Sequence, residues 1–145
     1  DINLQYGKGQ ILKEGSKDGN NAGGNVAIIA VGSMVEETYK AIDMLEKENV
    51  HPAFVNPVFI KPMDTELIKR VAENHKHIIV VEEGIKKGGF GESVETFILE
   101  SGIDADVQVM AIDDRFVEQG NVALLREEIG ISYKNIYEKV MELTR

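Results

Sequence analysis

The sequence predicts a three-layer α/β/α sandwich built on a mostly parallel five-stranded sheet. Two apolar runs, residues 26–31 (VAIIAV) and 78–81 (IIVV), show no polar alternation. Such runs are typical of strands that helices cover on both faces. Helical patterns of about ten residues separate the predicted strands, which favours right-handed crossovers and parallel pairing. A chain of 145 residues fits a single hydrophobic core.

The first half of the chain begins with a short strand at residues 10–13. No helix-length segment separates it from the strand at 26–31, so we expect it at the sheet edge, antiparallel to its neighbour. Glycine, asparagine and serine at 15–25 predict a surface loop between them. Ser33 and Glu36 have capping-box spacing, which predicts a helix that ends near Asn49. Its buried stripe is predicted to contain Val35, Thr38, Ile42 and Leu45.

The middle of the chain repeats the alternation of strand and helix. Residues 53–56 predict a strand, and Asp64 is expected to cap a helix with Leu67, Ile68, Val71 and Ala72 inward. The strand at 78–81 is followed by a predicted loop over 82–91. A third helix then carries an apolar stripe of Phe90, Val94, Phe97 and Ile98.

The last third of the chain completes the pattern. Gly102 is expected to end the third helix as a left-handed cap, and residues 107–111 predict the last strand. Asn121 should cap a helix that ends at Gly130. Ser132 should cap the terminal helix, which turns Ile136, Val140 and Leu143 inward.

The domain organisation follows from these elements. Residues 10–145 form one predicted domain, and residues 1–9 are expected to be a linker from a missing upstream domain. Asp1 opens a polar, glycine-containing stretch instead of an initiator methionine. We therefore expect the chain to be a fragment of a longer protein.

Charge and composition exclude several classes of function. Sixteen basic and twenty-five acidic residues give a formal net charge of -9, which repels a nucleic-acid backbone. No apolar run approaches the roughly 20 residues that cross a bilayer, so we expect no membrane partner. The absence of cysteine excludes disulfides and thiolate sites. With no visible signal peptide, we expect a cytoplasmic location.

The glycine turn within residues 82–91 is the most informative segment. It joins the carboxyl end of a strand to a helix N-terminus, where ligands of open α/β sheets usually bind. Backbone amides around Lys87, Gly88, Gly89 and Gly91 make a candidate weak anion turn. The alternative is that the glycines only permit a sharp turn and close packing of Phe90. We favour this alternative, because the string lacks the spacing of a phosphate-binding fingerprint.

Glu82 and Glu83 stand at the end of the predicted strand. Neighbouring side chains in a strand point to opposite faces, so this pair is not expected to share one substrate as acid and base. We expect one to be structural and the other exposed. Such a group at a strand tip more often bonds to loop amides or a neighbouring domain than transfers protons.

Two further loops at strand ends are candidates for a domain or dimer interface. In the first, two prolines restrict the backbone of residues 56–64 and present Phe59 and Lys61. The alternative is that Phe59 and Ile60 close over the domain's own core.

The second loop carries Arg115 and Phe116, a guanidinium beside an apolar anchor. The alternative for this loop is a local surface ion pair. The predicted interface set therefore contains seven residues: Phe59, Lys61, Glu82, Glu83, Phe90, Arg115 and Phe116.

No catalytic, cofactor-binding or metal-binding residue is assigned from the sequence. His51, His75 and His77 lack the spacing and partners of a zinc site. No Ser-His-Asp arrangement is convincing either. Chemistry is therefore expected outside this chain.

Several strings together resemble the C-terminal domain of the transketolase family. They are VAIIAVGSMV at 26–35, VNPVFIKPMD at 55–64 and VVEEGIKKGGFG at 80–91. Beta subunits of 2-oxo acid dehydrogenases carry similar strings. DDRFVEQG at 113–120 is similar to the DRFVEHG-type signature of one branch, the 1-deoxy-D-xylulose-5-phosphate synthases. It departs from that signature at Gln119, where histidine is frequent, and at Asp113, where proline is frequent.

The resemblance implies a homodimeric parent enzyme that condenses pyruvate with glyceraldehyde 3-phosphate and releases carbon dioxide. Its product supplies isoprenoid and thiamine biosynthesis, and its cofactors are thiamine diphosphate and Mg²⁺. In this family, the cofactor site and the glutamate that activates thiamine belong to the first and second domains. The fragment is therefore expected to be inactive alone and to hold no cofactor.

Three functions stay open at this point. The first is a structural module that braces the upstream domains and the homodimer. The second is a small-anion or nucleotide regulatory module at the glycine turn. The third is the C-terminal domain of a 2-oxo acid dehydrogenase beta subunit or of a transketolase.

Overall fold

The computed structural model describes residues 7–16, 23–58, 60–85, 89–112 and 132–144. Within these ranges the chain forms five strands and four helices. The strands are β1 (Gln10–Lys13), β2 (Val26–Ala30), β3 (Ala53–Asn56), β4 (His77–Ile85) and β5 (Asp106–Ile112). The helices are α1 (Met34–Lys47), α2 (Thr65–Asn74), α3 (Phe90–Glu100) and α4 (Tyr133–Thr144).

The five strands form one sheet in the order β1-β3-β2-β4-β5. β2 pairs in parallel with β3 and β4, and β4 pairs in parallel with β5. β1 lies at the edge and runs antiparallel to β3, with Gln10 opposite Asn56. The predicted fold class and the antiparallel edge strand are confirmed.

Helices cover both faces of the sheet and create two apolar clusters. The first cluster joins one face of the sheet to α1 and α4, with Ile28, Phe54, Ile42 and Ile136 fully buried. The second joins the opposite face to α2 and α3 through Ile29, Val80, Ile68 and Ile98. Alternate residues of β2 and β4 contribute to the two clusters, which explains their unbroken apolar sequence.

The helix α1 begins where the sequence predicts, but its cap differs. Ser33 is the N-cap residue, yet its side chain makes no capping hydrogen bond to α1. Its hydroxyl instead donates to Oε1 of Glu83 at 2.5 Å. The predicted capping box is therefore wrong: Ser33 has φ −64° and ψ −17°, in the helical region, whereas a capping serine typically has an extended backbone. The buried side of α1 is Met34, Thr38, Ala41, Ile42 and Leu45, with Val35 only partly buried.

The other predicted caps in the described residues are present. Asp64 caps α2 by accepting a hydrogen bond from the amide of Leu67, and the four predicted inward residues of α2 are buried. Gly102 has φ +70° after α3, as expected for a left-handed cap. At α4, Ser132 and Asn135 exchange side-chain and backbone hydrogen bonds.

A glutamate on α1 also contributes to the start of α4. Oε2 of Glu37 accepts a hydrogen bond from the amide of Tyr133 at 2.9 Å. The first four amides of a helix lack intrahelical partners, so a carboxylate there satisfies a donor and interacts favourably with the helix dipole. This contact ties α4 to α1 across 96 residues of sequence.

Three predicted segments differ from the described structure or lie outside it. β4 continues to Ile85, so the loop predicted over 82–91 is shorter than expected and α3 begins at Phe90. The helix predicted from Asn121 to Gly130 lies outside the described residues. Residues 7–9 of the predicted linker lie against the domain, as described below.

We expect Ile136→Ala to destabilise the domain by about 2–5 kcal/mol, because it leaves a cavity between α4 and the sheet. Ile136 is fully buried, whereas Leu99 on α3 is 78% exposed. Leu99→Ala is the matched control, with an expected change within about 0.5 kcal/mol. Urea unfolding followed by circular dichroism measures both. Equal losses would contradict the assigned core.

Candidate functional site at the carboxyl end of the sheet

The carboxyl ends of the parallel strands lie at one end of the sheet, here called the carboxyl edge, and the described parts of the predicted candidate loops lie there. From β2 the chain crosses to β3 on one side, and from β3 it crosses back to β4 on the other. This reversal places a topological switch point between β2 and β4, the usual ligand position in open α/β sheets. Ser33 follows β2 at this point, and Glu82 and Glu83 lie near the end of β4.

Glu82 is a buried acid at this edge, with 4% of its surface exposed. Its Oε2 accepts a hydrogen bond from the amide of Phe90, and its Oε1 accepts one from the amide of Gly91, both at 2.9 Å. The N-cap residue, Gly89, has no side chain that could do this. Glu82 therefore supplies the cap of α3 from the adjacent strand, and the helix dipole favours its negative charge.

Gly91 is required for the close approach of α3 to β5. A Cβ atom at this position would lie 2.5 Å from Cγ1 of Val109 and 3.1 Å from Oε1 of Glu82. Real Cβ atoms do not sit at the first of these distances, so either the helix or Val109 would have to move. This geometry agrees with the packing alternative for the glycine turn.

Phe90 lies inside the domain. Its side chain is 3% exposed and belongs to the cluster between the sheet and α2 and α3. It therefore has little surface to offer a partner, contrary to the expectation of an apolar tip in the interface set. The turn directs Phe90 inward because Glu82 fixes its backbone amide above the strand end.

The candidate anion turn is described only in part. Lys87 and Gly88 lie outside the described residues, while Gly89 and Gly91 are placed at the start of α3. The amides of Phe90 and Gly91 are already bonded to Glu82. An anion at these two amides would have to displace a buried carboxylate, and anion binding stays a prediction.

Glu83 is exposed and faces away from the position of Glu82. The strand alternation predicted this division into one buried and one exposed carboxylate. The hydrogen bond from Ser33 connects the segment after β2 to the end of β4. This partner could not be predicted from local patterns, because fifty residues separate the two side chains.

The proline loop after β3 has a shaped backbone. Oδ1 of Asn56 accepts a hydrogen bond from the amide of Val58 at 2.9 Å, and Val58 has φ +64°. A β-branched residue rarely adopts this conformation, and such outliers often accompany functional loops. Lys61 is exposed and Ile60 is 50% exposed. Ile60 therefore does not close over the core, and Phe59 lies outside the described residues.

The remaining interface candidates, Arg115 and Phe116, also lie outside the described residues. Their participation stays a prediction from the sequence. Of the predicted set, the structure brings Lys61, Glu82, Glu83 and Phe90 to the carboxyl edge. Only Lys61 and Glu83 among these four present substantial surface.

A small polar cluster lies at the amino ends of the strands, on the side of the sheet opposite the carboxyl edge. Nδ1 of His77 lies 3.2 Å from Oδ2 of Asp106 at the amino ends of β4 and β5. The hydrogen bond from Gln108 is the main cause that lowers the pKa of Asp106, and the contact with His77 lowers it further. His51 and His75 bond to Asn49 and the carbonyl of Val71, respectively. These are local contacts of surface and junction residues.

Within the described ranges, no group of three or more His, Asp or Glu side chains is placed to hold a metal ion. At the start of α3, the amides of Phe90 and Gly91 already donate hydrogen bonds to Glu82.

None of the helices in the described part is long and apolar enough to span a membrane.

Comparison with known protein families identifies the domain. Residues 11–136 match the family model described as the transketolase C-terminal domain. The chain belongs to the transketolase C-terminal domain family. The match runs from the second residue of β1 to the first turn of α4, so the resemblance seen in three separate strings extends over most of the domain.

The curated relatives of this transketolase C-terminal domain include several enzymes of one name. A 1-deoxy-D-xylulose-5-phosphate synthase from Dehalococcoides mccartyi strain 195 is 37% identical over 143 residues, 97% of this chain. The synthases of Heliobacterium modesticaldum and Brevibacillus brevis are 36% and 37% identical, also over 97% of the chain. The chain spans 21%, 20% and 21% of these relatives, respectively.

Solved structures agree with this family. A structure titled "Split gene transketolase, inactive beta4 tetramer" superposes with a TM-score of 0.83 and 28% identity, covering 99% of this chain and 45% of that one. A 2-oxoglutarate:ferredoxin oxidoreductase from Magnetococcus marinus has a TM-score of 0.60 at 17% identity. It covers 97% of this chain and 20% of that one, and supports the fold alone.

We expect Glu82→Gln to destabilise the domain by about 1–3 kcal/mol, because the amide side chain has only one acceptor oxygen for two buried amides. Glu83→Gln, on the exposed neighbour, should cost less than about 1 kcal/mol. Urea unfolding at pH 7 compares the two variants. If Glu83→Gln costs as much as Glu82→Gln, the assignment of Glu82 as the cap of α3 fails.

We expect Gly91→Ala to destabilise the domain by about 1–3 kcal/mol, because the added Cβ overlaps Val109. The double variant Gly91→Ala/Val109→Ala removes the overlapping methyl groups. Its loss should be smaller than the sum of the two single losses, and thermal unfolding of all four proteins measures this coupling. Additive losses would contradict a direct contact.

Proposed function

We propose that this chain is the C-terminal domain of a 1-deoxy-D-xylulose-5-phosphate synthase, in which it braces the other domains and the homodimer. The observation that carries the proposal is the alignment of synthases of this name along 97% of the chain at up to 37% identity. The chain spans about one fifth of their length, which leaves room for further domains. The segment DDRFVEQG at 113–120 also supports this branch.

The geometry of the carboxyl edge supports a bracing role. The proline loop holds Ile60 and Lys61 at the surface on a backbone fixed by Asn56. An exposed apolar residue beside a charge on a rigid loop loses little entropy when it binds a partner. The related split-gene transketolase was solved as an inactive tetramer of its beta chain, which favours self-association within this family.

The proposed parent condenses pyruvate with glyceraldehyde 3-phosphate and releases carbon dioxide. As the family resemblance implies, its thiamine diphosphate and Mg²⁺ would bind to the first and second domains of the parent. We propose that this chain is inactive alone. A chain without cysteine suits the cytoplasmic location that we propose for the parent.

The two alternatives have weaker support. A regulatory anion at the glycine turn would compete with Glu82 for the described amides. A 2-oxo acid dehydrogenase beta subunit or another transketolase would share the strings at 26–35, 55–64 and 80–91. The segment around Arg115 and Phe116 favours the synthase over these parents.

The bracing role can be tested by removing the domain from the full-length parent and adding the 145-residue chain back. We expect the truncated parent to lose dimerisation or synthase activity, and the added chain to restore it. Light scattering gives the mass, and product formation from pyruvate and glyceraldehyde 3-phosphate gives the activity. A truncated parent that is a fully active dimer would overturn the proposal.

A pair of exposed apolar residues gives a matched control for this experiment. Ile60 lies at the carboxyl edge, whereas Leu99 lies near the end of α3 that is remote from this edge. Ile60→Asp should weaken rescue by about tenfold or more, because a charge at an interface core is costly. Leu99→Asp should rescue like the unmodified chain. Equal rescue by both variants would exclude the proline loop from the interface.

A further inference from the structure

The three residues before β1, here called the leading segment (Gly7–Gly9), are held against the body of the domain. The amide of Gly9 donates a hydrogen bond to Oδ2 of Asp64 at 2.8 Å. Nζ of Lys8 lies 3.3 Å from Oε2 of Glu66, at the start of α2. The leading segment is thus bound at the N-terminus of α2, although the sequence predicts only a linker here.

Asp64 uses both carboxylate oxygens, and each has a different partner. Oδ1 accepts from the amide of Leu67 and caps α2, while Oδ2 accepts from Gly9, which lies 55 residues away in sequence. The residue is 7% exposed. A hydrogen bond to a buried carboxylate is among the stronger kinds in proteins, because the acceptor is charged and shielded from water.

The backbone at both glycines of the leading segment leaves little room for a side chain. A Cβ on Gly9 would lie 2.9 Å from both the carbonyl oxygen of Asn56 and Cα of Pro57. These are backbone atoms that cannot rotate away. At Gly7, φ is +75°, and a Cβ would lie 3.2 Å from Cγ of Pro62. The leading segment therefore packs between the end of β3 and the proline loop.

The sheet register fixes where this packing occurs. Gln10, the first residue of β1, pairs with Asn56, the last residue of β3. The leading segment consequently joins the domain at the carboxyl edge, beside the exposed Ile60 and Lys61. The residues before Gly7 are covalently linked to the leading segment, so they enter the domain at the edge that carries the proline loop.

We propose that Asp64 is a positioning residue that fixes the direction in which the preceding chain joins this domain. Its partner is the amide of Gly9, and this bond holds the leading segment at the carboxyl edge of the sheet. This inference rests on the proposed function to the extent that the preceding chain carries the domains being braced. The bond between Asp64 and Gly9 can be tested without them.

Trypsin cleavage of the Lys8–Gly9 bond tests this clamp, because the nitrogen of that bond is the atom that Asp64 holds. Asp64→Asn keeps one acceptor oxygen and Asp64→Ser keeps one hydroxyl, so each can cap α2 but neither can also accept from Gly9. We expect cleavage at Lys8 to rise about tenfold or more in both variants of the 145-residue chain. Mass spectrometry of the released product measures the rate.

Two internal references separate the clamp from general stability. Cleavage after Lys40, inside α1, reports unfolding of the whole domain and should change much less than cleavage after Lys8. Glu66→Gln removes only the exposed partner of Lys8 and should change the Lys8 rate by less than about twofold. An unchanged Lys8 rate in both Asp64 variants, or an equal rise at Lys8 and Lys40, would overturn the inference.

The outcome is independent of the domain-removal experiment. Failure of the cleavage test removes Asp64 from the positioning role and leaves the bracing role of the domain intact. Conversely, a truncated parent that remains a fully active dimer removes the bracing role, even if Asp64 holds Gly9 as described. The two failures are therefore distinguishable.

Discussion

The buried carboxylate of Glu82 holds the first turn of α3 against the end of β4, and the carboxyl edge of the sheet depends on this contact. Both oxygens accept from helix amides. A buried carboxylate without such partners would be strongly destabilising, so strand and turn must keep their relative position. Gly91 permits the contact by letting the helix approach Val109. Phe90 is thereby directed into the core instead of toward a partner.

The same physical device recurs at other helix starts. Asp64 caps α2 and also binds the leading segment, and Glu37 of α1 bonds to the first amide of α4. In each case a carboxylate satisfies amides that a helix leaves unpaired, and the helix dipole favours the charge. Acidic residues in this chain of net charge -9 therefore organise its architecture. Among the described residues at the carboxyl edge, Ile60 and Lys61 of the proline loop are exposed.

Local patterns explain which features were predictable. The unbroken apolar runs of β2 and β4 required cover on both faces, and the cap at Asp64 followed from its position before an apolar period. The Ser33 capping box is absent because the backbone of Ser33 is already helical, and its hydroxyl bonds to Glu83, which is remote in sequence. The bond from Gly9 to Asp64 likewise joins residues that are remote in sequence. Single-sequence patterns report neighbours along the chain, whereas these contacts require the sheet order and register.

Hydrogen exchange at the amides of Phe90 and Gly91 tests the central role of Glu82 most directly. These amides belong to the first turn of α3, where the helix itself provides no acceptor. We predict that both are protected to about the same degree as Val94 in the interior of α3, because Glu82 binds them in a buried position. Exchange at the rate of a free, solvated amide would contradict the account.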